Sequence, residues 1–87
     1  MRHMTNVSTD GFELKYSMTI VNSTEEEGAQ CYGVHVAKYE GGNVIAQQDS
    51  GAISYNSQKV EDVIATLARN TVTPMVLCEI LDEMDIW

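Results

Sequence analysis

Apolar and polar residues alternate along residues 12–21, the pattern of a β-strand with one buried face. The polar positions include Glu13, Lys15 and Ser17, which would face the opposite side. A strand of this kind needs a covering layer on its apolar side only. The residues expected to share the buried face are Phe12, Leu14, Tyr16, Met18 and Ile20.

Three further strands are predicted downstream of this one. Residues 29–40 alternate again, and Gly41-Gly42 is predicted as a hairpin loop because glycine supplies the positive φ angles of such turns. Residues 43–49 are expected to return as a third strand. Ser50-Gly51 is predicted as a second turn, and residues 52–55 as a short fourth strand.

Residues 57–84 have helical spacing instead, broken near Pro74. Ser57 is predicted to cap the first helix, and Asn70 to end it in the left-handed conformation. Thr73 is predicted to cap a second helix that begins at Pro74. Neither helix is long enough to be stable alone in water, so both stripes need a common partner surface. The two apolar stripes are Val60, Val63, Ile64 and Leu67, then Leu77, Ile80, Leu81 and Met84, with Trp87 extending the second.

This order of elements predicts an α+β fold, an antiparallel three- to four-stranded meander followed by two C-terminal helices packed on one sheet face. Residues 1–11 are polar and unpatterned, and are predicted to be a flexible tail. Residues 12–87 are predicted to form a single α+β domain.

Composition excludes several functions but says less about the fold. The chain has 87 residues and a formal net charge of −8, which disfavours direct binding to nucleic acid or to an anionic membrane. We find no signal peptide and no apolar run of transmembrane length. Cys31 and Cys78 form no CxxC pair, so both are expected to be reduced in a cytoplasmic protein.

Several short segments are informative when taken together. They are Tyr32-Gly33-Val34, Ile53-Ser54, Val60-Glu61-Asp62-Val63-Ile64 with Leu67 and Asn70, Val72-Thr73-Pro74, and Leu77 with Ile80-Leu81-Asp82-Glu83. In these segments the chain resembles a family of short uncharacterised bacterial proteins of Firmicutes type, a domain of unknown function. The resemblance covers residues 12–84. It implies the α+β architecture and a bacterial, cytoplasmic origin, and it brings no catalytic residue and no mechanism.

Catalytic, metal and cofactor chemistry all lack a suitable constellation. Cys31 and His35 would share a strand face, but at about 3.3 Å per residue they are roughly 13 Å apart, beyond hydrogen-bond reach. Outside residues 1–11 there are two cysteines and one histidine without the close spacing of zinc ligands. Glu25-Glu26-Glu27 is expected to be an exposed loop rather than a calcium site. We therefore expect no catalytic residue, no metal, no cofactor and no enzyme activity.

The second helix carries acids where the helix dipole disfavours them. Glu79, Asp82 and Glu83 would share one face, Asp85 follows, and no base comes after Arg69. Each exposed acid near a helix C-terminus costs roughly 0.3–1 kcal/mol. The acids are therefore either a solvated face that helps solubility or a docking face for a basic partner.

The expected function is that of a non-catalytic protein-binding module, regulatory or inhibitory. The alternative is an acidic mimic of nucleic acid that blocks a nucleic-acid-binding enzyme. A small enzyme acting through Cys31 or His35 is the least favoured hypothesis. A docking module should show acids around an apolar patch, whereas a mimic should show carboxylates over a continuous face. The predicted protein-binding residues are Glu79, Asp82, Glu83, Asp85, Ile86 and Trp87.

Overall fold

The computed structural model describes residues 4–22 and 30–84, and within them four antiparallel strands form a meander. The strands are β1 (Met4–Thr9), β2 (Phe12–Asn22), β3 (Gln30–Glu40) and β4 (Asn43–Ser54). The helices are α1 (Ser57–Arg69) and α2 (Leu77–Glu83), and a short 3-10 helix, Pro74–Val76, leads directly into α2. The predicted α+β meander with two C-terminal helices is confirmed. The predicted loop with Glu25–Glu27 lies outside the described residues.

The first strand lies where the sequence predicted a flexible tail, so that prediction is wrong for Met4–Thr9. β1 pairs with β2 through Thr9 and Phe12, and Asp10-Gly11 makes the turn, with Gly11 at φ 95°. Val7 packs against the core. The two apolar residues of β1, Met4 and Val7, are three positions apart and show no strand alternation. The position of β1 depends instead on the hydrogen-bonding edge that β2 offers.

The predicted third and fourth strands are one strand, β4, and Ser50-Gly51 is a bulge in it rather than a turn. His35 pairs with Asp49 and Gly33 with Ala52, so two residues of β4 oppose Val34 alone. The backbone N–H of Val34 donates to the hydroxyl of Ser50 at 2.9 Å. This side chain replaces the backbone acceptor that the bulge removes from the ladder.

Both helices cover one face of the sheet, as the alternation in β2 requires. Ile20 lies on that face by parity but is 53% exposed. The core contains the predicted residues of both helical stripes except Ile80 and Met84, which are half-buried, and Trp87, which lies outside the described residues. The buried core residues are Leu14, Tyr16, Met18, Val34, Val36, Val60, Val63, Ile64, Leu67, Val72, Leu77 and Leu81.

α1 ends at Asn70 as predicted, but the N-cap and the left-handed residue each differ from prediction by one position. Asn56 rather than Ser57 is the N-cap, and its side-chain oxygen accepts from the backbone N–H of Gln58 at 3.0 Å. At the C-terminus, Asn70 has φ −97°, and the left-handed residue is Thr71 at φ 53°. An asparagine side chain caps as well as a serine hydroxyl, so the sequence offered two adjacent capping residues.

The second helical segment begins at Pro74, as predicted, but as a 3-10 helix. The Thr73 side chain makes no capping hydrogen bond, which corrects the predicted cap. The backbone carbonyl of Thr73 instead accepts from the N–H of Val76 at 3.2 Å. Four residues apart on α2, Leu77 and Leu81 are fully buried and dock the segment on the sheet.

Candidate functional site: the acidic helix and the groove beside it

The three predicted acids of α2 that the structure describes are all exposed. Glu79, Asp82 and Glu83 face solvent, and the last turn of α2 contains no base. Asp85, Ile86 and Trp87 lie outside the described residues. The described part of the predicted docking surface is therefore exposed on α2.

A groove opens between the C-terminal end of α1 and the segment that holds α2. Its volume is about 310 Å³, and it is open to solvent on one side. Thr66, Asn70, Thr71 and Thr73 supply its polar edge. Its apolar walls are Leu67, Val72, Val76, Ile80 and Met84.

The acids lie next to this groove because of helical spacing. Val76 in the 3-10 helix, Ile80 in α2 and Met84 at its C-cap recur every four residues. They form the wall of the groove on the α2 side, the α2 wall. Glu79 and Glu83 each follow a wall residue by three positions, so they occupy the adjoining stripe of the helix. Acids thus border an apolar surface.

The groove was not predicted from the sequence. Ile80 and Met84 were assigned to the core stripe, yet only Leu77 and Leu81 are fully buried. A signal was present, since the apolar stripe of Leu77, Ile80, Leu81 and Met84 is wider than the pair Leu77 and Leu81 that is fully buried. Whether the remaining apolar side chains of the stripe face the sheet or solvent depends on how the two helices are placed.

Thr71, at the edge of the groove, holds a costly backbone conformation. Its φ of 53° lies in the left-handed region, which disfavours β-branched side chains. The N–H groups of Thr71 and Val72 return to the carbonyls of Ala68 and Leu67 at 3.2 and 3.1 Å, which closes the helix end. Glycine or asparagine is the usual residue at such a position.

On the helix-free face of the sheet, one polar row crosses three strands. His35 of β3 pairs with Ser17 of β2 on one side and with Asp49 of β4 on the other. The Nδ1 atom of His35 lies 2.6 Å from Oδ1 of Asp49. The histidine side chain is 28% exposed and the aspartate 66%, so the pair is open to water. The sequence did not indicate this pair, because it depends on the register across the β3–β4 hairpin.

The described cysteines are not part of a shared site. Cys31 is half-buried on the strand face of His35, whose ring nitrogen bonds Asp49 instead, and Cys78 is exposed on α2. Both thiols are free. Within residues 4–22 and 30–84, no group of three or more His, Cys, Asp or Glu side chains is close enough to hold a metal ion.

The lysines of the sheet are engaged with aromatic rings. Lys15 lies over the ring of Tyr39, and Lys38 over that of Phe12, each with Nζ 4.6 Å from the ring centroid. Near these rings, a second, polar cavity of about 380 Å³ lies between the tips of the two hairpins. The described bases thus lie on the sheet and on α1, and α2 carries none.

A meander sheet covered on one face by two helices, with an acid-bordered groove between those helices, defines a small α+β protein. The chain belongs to a family of unknown function (DUF6514), whose model matches residues 1–85. Neither a curated protein nor a solved structure matches the chain. Among the described residues, no helix is both long and apolar enough to cross a membrane.

Proposed function

We propose that this protein is a non-catalytic protein-binding module, regulatory or inhibitory, that docks on a basic protein surface through α2. The docking surface comprises Glu79, Asp82 and Glu83, and it continues along the chain into Asp85, Ile86 and Trp87. The observation that carries the proposal is the position of exposed acids beside an apolar groove. Interfaces combine an apolar centre with a polar rim, and these residues have that arrangement.

The placement of two of the acids is costly for the helix itself. Glu79 lies in the first turn of α2, where the dipole favours an acid, which corrects the prediction for that residue. Asp82 and Glu83 lie near the C-terminal end, where α2 has no base, and they oppose the dipole. α1, by contrast, ends in Arg69, which the dipole favours. A binding role explains why α2 keeps its acids. Attraction to a basic partner speeds association, and like-charge repulsion disfavours binding to acidic proteins.

The acidic mimic of nucleic acid is the rival function. A mimic needs carboxylates at phosphate-like spacing over a continuous face, whereas here the apolar groove adjoins the acids. Apolar surface of this kind suits a protein partner better than a site made for phosphate groups. The proposal also places the protein in the cytoplasm, where an exposed thiol such as that of Cys78 stays reduced.

The test begins with partner capture from the source cell and identification by mass spectrometry. The association rate of the captured partner is then measured for wild type and for Asp82→Lys/Glu83→Lys, at low and high ionic strength. The reversal should slow association at low salt, and the difference should shrink at high salt as the charges are screened.

Asp10→Lys/Glu40→Lys is the matched control. Both control residues are exposed at hairpin turns of the sheet, and the change in net charge is identical. The control should retain most of the wild-type rate, since only α2 is expected to meet the partner. Equal rates for all three proteins at both salt concentrations would mean that the acids are only a solvated face. A captured partner that is a nucleic-acid-binding enzyme, displaced by DNA or RNA, would favour the mimic.

A further inference from the structure

We infer that the groove between α1 and α2 is a pocket for one large apolar side chain of a basic peptide segment in the partner. This inference rests on the proposed function and specifies what its surface recognises. The segment would insert an aliphatic or aromatic anchor into the groove and place Lys or Arg beside it, over the α2 acids.

The size and lining of the groove fit such an anchor. At about 310 Å³ it is near the lower end of binding-pocket volumes. Val72, Val76 and Ile80 give it apolar walls, and Met84 adds a flexible side chain that adapts to different shapes. A recessed apolar pocket beside polar residues is where anchors contribute most of the binding energy of an interface.

The edge of the groove offers hydrogen-bonding groups to a peptide backbone. Thr73 makes no capping hydrogen bond with its side chain, so its hydroxyl is not committed to the helix. Thr71 has a φ of 53°, a left-handed backbone conformation that costs glycine less free energy than threonine. Strain at the edge of a recess is common where a side chain serves binding rather than stability.

Charge sets the direction in which the segment lies. Glu79 and Glu83 adjoin the α2 wall, whereas Arg69 is exposed at the end of α1 on the other side. A basic residue of the partner is therefore favoured on the α2 side of the anchor and disfavoured on the α1 side. With a net charge of −8, the whole chain also attracts a cationic segment.

The probe is a short lysine-rich peptide with a central phenylalanine, compared with the same peptide carrying alanine at that position. Binding to the full chain is followed by NMR through the methyl groups of Ile80 and Met84. The phenylalanine peptide should shift both signals and bind at least about tenfold more tightly, given the free energy of burying an aromatic ring. A third peptide with glutamates in place of the lysines should bind more weakly than the lysine-rich one.

Val76→Phe should fill the groove and abolish the preference for the phenylalanine peptide. Met75→Phe is the matched control, because Met75 is 87% exposed and does not line the groove. The control should bind as wild type does. The circular dichroism and melting temperature of both variants show that each is folded, and Val76→Thr provides a smaller change if Val76→Phe fails to fold.

The outcomes separate this inference from the proposed function. If Asp82→Lys/Glu83→Lys weakens all lysine-rich peptides but the anchor and Val76→Phe change nothing, acidic docking stands and the pocket is overturned. If the phenylalanine anchor strengthens binding but the charge reversal leaves the affinity unchanged, the pocket stands and docking on a basic partner is overturned. If neither matters, both are overturned.

Two other occupants would also overturn the inference. A chain ending at Met84 that binds the phenylalanine peptide when the full chain does not would assign the groove to residues 85–87. Shifts of the Ile80 and Met84 methyl signals that depend on protein concentration, without peptide, would assign it to a second copy of the chain.

Discussion

The hydroxyl of Tyr16 donates a 2.7 Å hydrogen bond to the backbone carbonyl of Val72, 56 residues away in the chain. Tyr16 is fully buried in β2, and Val72 lies in the turn between the two helical segments. The bond ties the middle of the sheet to the point where the chain reverses over it. The same turn forms one wall of the groove, so the bond also sets the position of that wall.

Tyr16→Phe removes this bond and leaves the Val72 carbonyl buried without its partner. The expected loss is about 1–3 kcal/mol in the free energy of unfolding, the cost of an unsatisfied buried acceptor. Urea denaturation of both proteins measures it. Tyr39→Phe, on the other sheet face, is the control, and an equal loss in both variants would contradict the role of the bond.

Alkaline pH should destabilise the fold through Tyr16. Burial raises the pKa of Tyr16 to about 12, from 10.0 for an ordinary tyrosine. Because the folded pKa is the higher one, this contribution is complete below the unfolded pKa and is lost as pH rises through the folded one. The urea midpoint should therefore fall between about pH 10 and pH 12. In Tyr16→Phe this part of the pH dependence should be absent. If the urea midpoint of this variant falls with pH as steeply as that of wild type, the effect does not come from Tyr16.

Leu81→Ala should cost about 2–5 kcal/mol, since Leu81 is fully buried between α2 and the sheet. Removing the side chain leaves a cavity in a core that is small to begin with. Thermal and urea unfolding give the difference. Its neighbour Asp82 is exposed, so Asp82→Ala should stay within about 0.5 kcal/mol of wild type. Similar losses for the two variants would mean that α2 does not pack as described.

Gly33→Ala should cost about 1–3 kcal/mol by overpacking, because a β-carbon at Gly33 would overlap the carbonyl oxygen of Gly51. The bulge would have to move, and with it the hydrogen bond from Val34 to Ser50. Hydrogen exchange should show the Val34 amide losing protection. Gly42→Ala is strained only by its φ of 83° and meets no atom, so it should leave that amide protected.

Thr71→Gly should stabilise the protein by about 0.5–1 kcal/mol. Relief of the left-handed strain at φ 53° exceeds the extra backbone entropy that glycine loses on folding. Thr71→Asn should act in the same direction. The measurement is the urea midpoint of each variant, and a loss in both would show that the threonine side chain stabilises the turn.

The sequence by itself determined which face of each strand and helix turns toward the core. The alternation in β2 and the helical spacing around Val63 and Leu77 assign core faces correctly, because periodicity is set by the local backbone geometry of strand and helix. Gly41-Gly42 was also readable, since both glycines have the positive φ that a two-residue hairpin turn requires. Asp10-Gly11 carried the same kind of signal, and it would have indicated β1.

Only the tertiary structure decided the rest. Ser50-Gly51 has the composition of a turn, but pairing with β3 made it a bulge, because Gly33 has no side chain to block the Gly51 carbonyl. His35 and Asp49 meet through hairpin register, which local pattern does not encode. The groove arises because Ile80 and Met84 extend past the sheet contact of α2. The sequence shows how apolar a helix stripe is, whereas the relative placement of the two helices decides how much of that stripe is buried.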